Sequence, residues 1–141
     1  MNLSDHGKKP YVVDIEELTE NNDNFRTAVW TGEQLQMTLM SIEVGGDIGL
    51  EIHSENDQFL RVEAGVAKVQ MGETKDNLIF KAIAKEDYGI FIPKGMWHNV
   101  TNINNEPLKL YSIYAPVHHK PGTVHQTRAE ADAVEASEHT H

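Results

Sequence analysis

Apolar and polar residues alternate in short runs along most of this chain, and Gly, Asn, Asp and Pro separate the runs. Alternation over a handful of residues marks a half-buried strand. Ten runs predict ten strands, at residues 11–15, 25–30, 34–44, 48–53, 58–63, 66–71, 78–83, 89–92, 97–102 and 108–114. The third changes phase. Leu35, Met37 and Leu39 share one face, then Met40, Ile42 and Val44 take the other, which predicts a β-bulge near Leu39. Many short strands with frequent turn signals and no solenoid-length repeat predict an all-β sandwich or barrel. The C-terminal stretch differs. Thr127-Arg-Ala-Glu130 has capping-box spacing, and the Ala- and Glu-rich run after it predicts a short surface helix or a frayed tail.

The 141 residues suit one domain. It divides into N-terminal strands over 1–33, a barrel core over 34–116 and a loop with an acidic tail over 117–141. There is no cysteine, so disulfides and thiolate metal sites are excluded, and a cytoplasmic location is expected. No apolar run has the length of a signal peptide or of a bilayer span. The formal net charge is −10 and the basic residues are scattered, which argues against nucleic acid and anionic membranes as partners. The acidity itself reads as solubility.

Two segments carry candidate chemistry. In the first, alternation puts Glu51 and His53 on one strand face, and after a four-residue turn Gln58 starts the next antiparallel strand opposite them. In the second, His98 follows the Pro93-Lys-Gly95 turn that returns another strand to the sheet. Donors from three strands then converge inside a barrel. Two imidazoles, one carboxylate and one amide carbonyl form a ligand set that Zn, Mn, Fe and Ni all accept. Burying an unpaired carboxylate is costly, and a metal relieves that cost.

These segments resemble the cupin superfamily. Its second motif is nearly complete: Pro93, Gly95 and His98 keep their spacing, and Asn102 closes the pattern. Asp87 stands where the pattern has glycine, with Gly89 two positions later. The first motif matches in spacing through Glu51-x-His53, Gln58 and Gly65, but Glu51 replaces a histidine and Gln58 replaces a glutamate. The resemblance covers about residues 34 to 116. It implies a cupin jelly-roll, or double-stranded β-helix, with Glu51, His53, Gln58 and His98 around one divalent ion. Small single-domain cupins of this kind look like the mannose-6-phosphate isomerase-like group.

The function expected is an enzyme on a small oxygen-rich metabolite, a sugar or a keto or hydroxy acid, with isomerase-type chemistry. One alternative is a non-haem iron dioxygenase using the two-His-one-carboxylate set, and another is a noncatalytic metal-dependent binding module. No cluster of Arg or Lys lies near the motifs, which weakens a phosphorylated substrate. His118, His119 and His125 read as exposed loop histidines, with a lid reaching the barrel mouth as the alternative; His139 and His141 read as solvated. Asp57 and Glu55 read as turn formers, and Trp97 and Phe59 as packing residues on the opposite face. If Glu51 and His53 face inward, Ile48, Leu50, Ile52 and Phe59 face outward. That apolar patch predicts a homodimer, with cover by residues 11–15 as the alternative.

Overall fold

The computed structural model describes residues 2–139, with side chains described through residue 134. In chain order the elements are α1 (Ile15–Glu20), β1 (Arg26–Thr31), β2 (Gln36–Ile42), β3 (Asp57–Ala64), β4 (Ala67–Gly72), β5 (Phe80–Ala84), β6 (Gly89–Ile92), β7 (Trp97–Asn102), β8 (Leu108–Ala115), β9 (Val124–His125) and α2 (Arg128–His139). The strands form two antiparallel sheets, in the orders β6-β3-β8-β2-β1-β9 and β5-β4-β7. This is the expected jelly-roll architecture, with a short C-terminal helix. Among the described residues, no helix is long and apolar enough to cross a membrane.

Between the sheets lies an apolar floor. Met40, Ile42, Leu60, Val62, Leu108 and Leu110 of the large sheet meet Val69, Met71 and Val100 of the small one. Because side chains alternate, the same inner faces also present Gln58 on β3, His98 on β7, and Ser112 and Tyr114 on β8. The interior is therefore apolar at one end and polar at the other.

The first expected strand is instead a coil leading into α1. Asp14 caps that helix by accepting from Glu17 N at 3.1 Å, and Glu16 and Glu17 occupy the favourable first turn. A good N-cap outweighs the weak local strand preference of Tyr11, Val12 and Val13. The segment and α1 then cover the outer face of the large sheet, where Leu3, Val13, Ile15 and Leu18 pack with Val29, Met37, Leu39, Phe59 and Tyr111. Phe59 is thus partly covered by its own chain rather than left open.

That cover also explains the phase change in the third run. Both faces of β2 are buried: Met37 and Leu39 lie under α1, and Met40 and Ile42 enter the barrel. No bulge is needed there, and β2 pairs with β8 in unbroken register from Gln36↔Tyr114 to Ile42↔Leu108. The irregularity sits across the ladder in β1, between Ala28 and Trp30.

Residues 48–53 form no regular strand. Gly49 has a φ of +90°, and the segment joins β7 through the isolated bridges Asp47↔Thr101 and Glu51↔His98. The break in alternation turns Ile48 into the core, contrary to the period-two expectation, while Leu50 and Ile52 stay at the surface. At the far end Thr127 Oγ1 accepts from Glu130 N at 3.2 Å. Glu130 Oε2 reaches back to Gln126 N at 2.8 Å, one residue before the usual capping-box partner. Ala131 docks this helix on the core. The side chain of His139 and all of His141 lie outside the described residues.

Candidate metal centre

The two motif segments are sewn together by backbone bonds. Glu51 N donates to His98 O at 3.0 Å, His98 N returns to Glu51 O at 2.9 Å, and Gly95 N donates to His53 O at 2.8 Å. Gly95, with φ +77°, makes the turn that permits this last bond. Asp57, expected to form the turn before β3, is the first residue of that strand, and its Oδ1 accepts from Lys94 N at 2.9 Å in the neighbouring turn. Asn102 anchors the other end of β7: its Nδ2 lies within 3.2 Å of the carbonyls of Ile42, Glu43 and Glu106. Asp87 has a φ of 73°, which explains the glycine in the family pattern; Asp tolerates this region better than most residues.

These bonds bring Glu51, His53 and His98 together, with their ligand atoms all within 4.8 Å of one another. Glu51 Oε1 lies 3.3 Å from His53 Nε2 and 3.4 Å from His98 Nε2. Ligands about 2.1 Å from one ion, at angles near 90–109°, sit about 3.0–3.4 Å apart, so the spacing suits a shared metal.

The hydrogen bonding of His98 points the same way. Its Nδ1 lies 3.0 Å from the carbonyl of Met96, which only accepts, so Nδ1 carries the proton. In neutral His98 a lone pair at Nε2 then faces the Glu51 carboxylate. This nitrogen is buried and has no aligned hydrogen-bond partner. Two electron-rich atoms at that distance need a cation between them. A proton can serve, and so can a divalent ion held by the orientation that a carbonyl-anchored histidine provides. Burial alone would raise the Glu51 carboxyl; protons on the facing nitrogens of His53 and His98 would outweigh it and hold the carboxyl well below the usual carboxylate range.

Gln58 is the second residue of β3, buried and paired across the sheet with Tyr114, whose ring lies 5.7 Å from that of His53. Gln58 Nε2 donates to Ser112 Oγ at 2.8 Å, while its Oε1 is buried with no hydrogen-bond partner. An amide carbonyl in that state suits a fourth, weaker ligand. The residues present therefore fit a divalent ion.

Of the loop histidines, His118 is exposed, as expected, whereas His119 is half-buried and His125 is buried. Gln36 is fully buried and grips the loop from both sides: its Oε1 accepts from His119 N at 2.8 Å, and its Nε2 donates to His119 O at 2.8 Å. The His118 ring is thereby set 4.3 Å from that of His53 and stacked on Tyr114 at 5.3 Å. Burial, helped by charge on His53 and Arg26, pushes His118 down to about 4. His119, buried and beside Arg26 and His118, falls to about 2. Both are neutral at neutral pH. His125 is also buried, with its Nδ1 3.2 Å from Arg26 Nη1.

Arg26, Gln36, Ser112 and Tyr114 were not legible as site residues, because they lie outside both motifs. The one available signal was a charged residue inside an apolar strand run at Arg26.

The cupin-domain family model matches residues 38–114. The uncharacterized protein YrkC of Bacillus subtilis (strain 168) is 56% identical over 133 residues, covering 94% of this chain and 72% of that protein. An uncharacterized protein, L612, of Acanthamoeba polyphaga mimivirus is 39% identical over 122 residues, covering 86% and 74%. A crystal structure of a Bacillus halodurans protein superposes with a TM-score of 0.92 at 61% identity, covering 92% of this chain and 98% of that one.

Proposed function

This chain belongs to the cupin family, and on that premise we propose that it is a metal-dependent enzyme acting on a small oxygen-rich metabolite, a sugar or a keto or hydroxy acid. One observation carries the reading. A buried carboxylate faces two imidazole nitrogens at 3.3 and 3.4 Å, and one of those imidazoles is oriented by a carbonyl behind it.

Glu51, His53 and His98 would hold the ion, with the Gln58 carbonyl as fourth donor; Zn, Mn, Fe and Ni all accept this set. A bound divalent ion supplies Lewis-acid polarisation of a chelated carbonyl or hydroxyl. The chain's own groups do the rest. Neutral His118 sits against His53 and is placed to take a proton from a bound hydroxyl or an adjacent carbon. The Tyr114 hydroxyl, 3.3 Å from His119 Nε2, is a partner through which a proton can pass. Chemistry of this kind would be isomerisation by proton transfer.

The second reading is a non-haem iron dioxygenase, favoured by the two-His-one-carboxylate composition of the triad. Elemental analysis of anaerobically purified protein tests both. Stoichiometric metal that is lost from His98→Ala supports the centre, and protein whose metal content is the same in that variant overturns it. Iron with oxygen uptake in the presence of small acids selects the dioxygenase.

A further inference from the structure

Arg26 lies on the inner face of β1, paired with Met40 on β2 and with His125 on β9. Its side chain is 2% exposed. The guanidinium meets His125 Nδ1 at 3.2 Å and lies 5.3 Å from the centre of the Phe25 ring, and its Nε is buried without a hydrogen-bond partner. No carboxylate among the described residues is within ion-pair distance of it. A buried guanidinium with no counter-ion is costly, and such charges are ordinarily paired.

Arg26 lines a chamber of about 310 Å³ together with His118, His119, Lys120, Thr123 and His125. That volume suits a molecule of a few heavy atoms. His118 is the shared wall, facing this chamber on one side and the His53 ring at 4.3 Å on the other. Of the side chains lining the chamber, the Arg26 guanidinium is the buried, permanently charged one. A planar guanidinium matches two oxygens of one carboxylate, which is the geometry behind strong bidentate pairs.

We propose that this chamber is an oxyanion subsite, seating the carboxylate of a small hydroxy or keto acid beside the triad. The substrate class is thereby narrowed to acids, which rests on the enzymatic reading above. The subsite itself depends only on Arg26. A free phosphate presents similar oxygens, so the test separates the two.

Lactate, glycolate, inorganic phosphate and uncharged glycerol are titrated into the full chain, metal-loaded and after chelation, with binding read by calorimetry and by thermal midpoint. The carboxylates are expected to bind both forms and to raise the midpoint, while glycerol does not. Arg26→Gln should abolish that response. Arg26→Lys, which keeps the charge but loses the planar fork, should weaken it about tenfold. Wild-type carboxylate affinity in either folded variant overturns the subsite, and so does a response to phosphate alone. Carboxylate binding that is lost in Glu51→Gln but kept in Arg26→Gln would show the acid to be a metal ligand only, and would also refute it. An Arg26-dependent response in protein that takes up no metal leaves the subsite standing while the metal reading fails.

Discussion

Replacing Glu51 with Gln keeps the shape of the side chain and removes the only carboxylate of the triad. In the chain without metal, the new amide can donate to the His98 Nε2 lone pair, so Glu51→Gln should remain folded by circular dichroism and gel filtration. Metal binding should collapse. Even partners behind the ligands are worth about 10–100-fold in affinity, so loss of a charged ligand should cost at least about 100-fold. At a metal concentration about 100 times Kd, binding stabilises the native state by about 2.7 kcal/mol. For 141 residues the unfolding entropy is about 0.3 kcal/mol per degree, so wild-type protein should gain about 9 °C in Tm. At the same concentration the variant is about half-saturated and should gain only about 1 °C. Differential scanning calorimetry with Mn or Zn, against chelated controls, reads both shifts. A full wild-type shift in Glu51→Gln, with one ion still bound per chain, would refute the assignment of the carboxylate.

Three further outcomes are expected. His53→Ala and His98→Ala should each lose the ion, whereas Gln58→Ala should weaken it less, because a neutral amide is the poorest donor of the four; complete metal loss confined to Gln58→Ala would reverse that order. Glu63 is 2% exposed, and its carboxyl is pushed up by burial, with Arg61 only partly opposing. A carboxyl that binds its proton more tightly when folded lowers stability above its folded pKa, and the deficit disappears as pH falls below the unfolded value. Glu63→Gln should therefore raise Tm at pH 7.5, by about 3 °C, and the gain should vanish near pH 4. We propose a homodimer as the solution state, now with Leu50, Ile52 and Phe91 as its exposed apolar contacts, since Phe59 is partly covered by Leu3, Val13 and Ile15. Light scattering at micromolar concentration should give about twice the chain mass, and a clean monomer would exclude the dimer.

The fold was legible where one sheet face meets the core and turn residues mark the ends. Strands β6 and β7 fall at the residues expected, because Gly89 and Pro93-Lys-Gly95 punctuate them. Sequence patterning failed where a second layer intervened. The alternation of β2 was read as a bulge because nothing in the residues of that strand announces that α1 covers its outer face. Residues 48–53 were read as a strand because Gly49, whose φ of +90° breaks the pleat, looks like any turn-adjacent glycine. The triad survived that error, since its geometry depends on backbone bonds from Glu51 to His98 and from Gly95 to His53, which motif spacing encodes. The mouth of the barrel was not legible. The backbone at His118 and His119 is held by Gln36, more than eighty residues earlier, and no local pattern reports such a clamp.

Charge balance at the polar end of the barrel separates the candidate substrates. A divalent ion held by one carboxylate would leave about one positive charge at the triad, and Arg26 would add another across His118. Beside buried His53, His98 and Tyr114, two uncompensated positive charges would be costly. An uncharged sugar would leave both in place. A hydroxy or keto acid would neutralise one of them, with its carboxylate on Arg26 and its remaining oxygen toward the triad. The net charge of −10 does not oppose this. Exposed charges more than about 8 Å away are largely screened at physiological ionic strength, whereas Arg26 acts at contact in a buried chamber. The acidic exterior would slow the entry of an anion without deciding its affinity, so raising the salt concentration should speed association of lactate while leaving its Arg26 dependence intact.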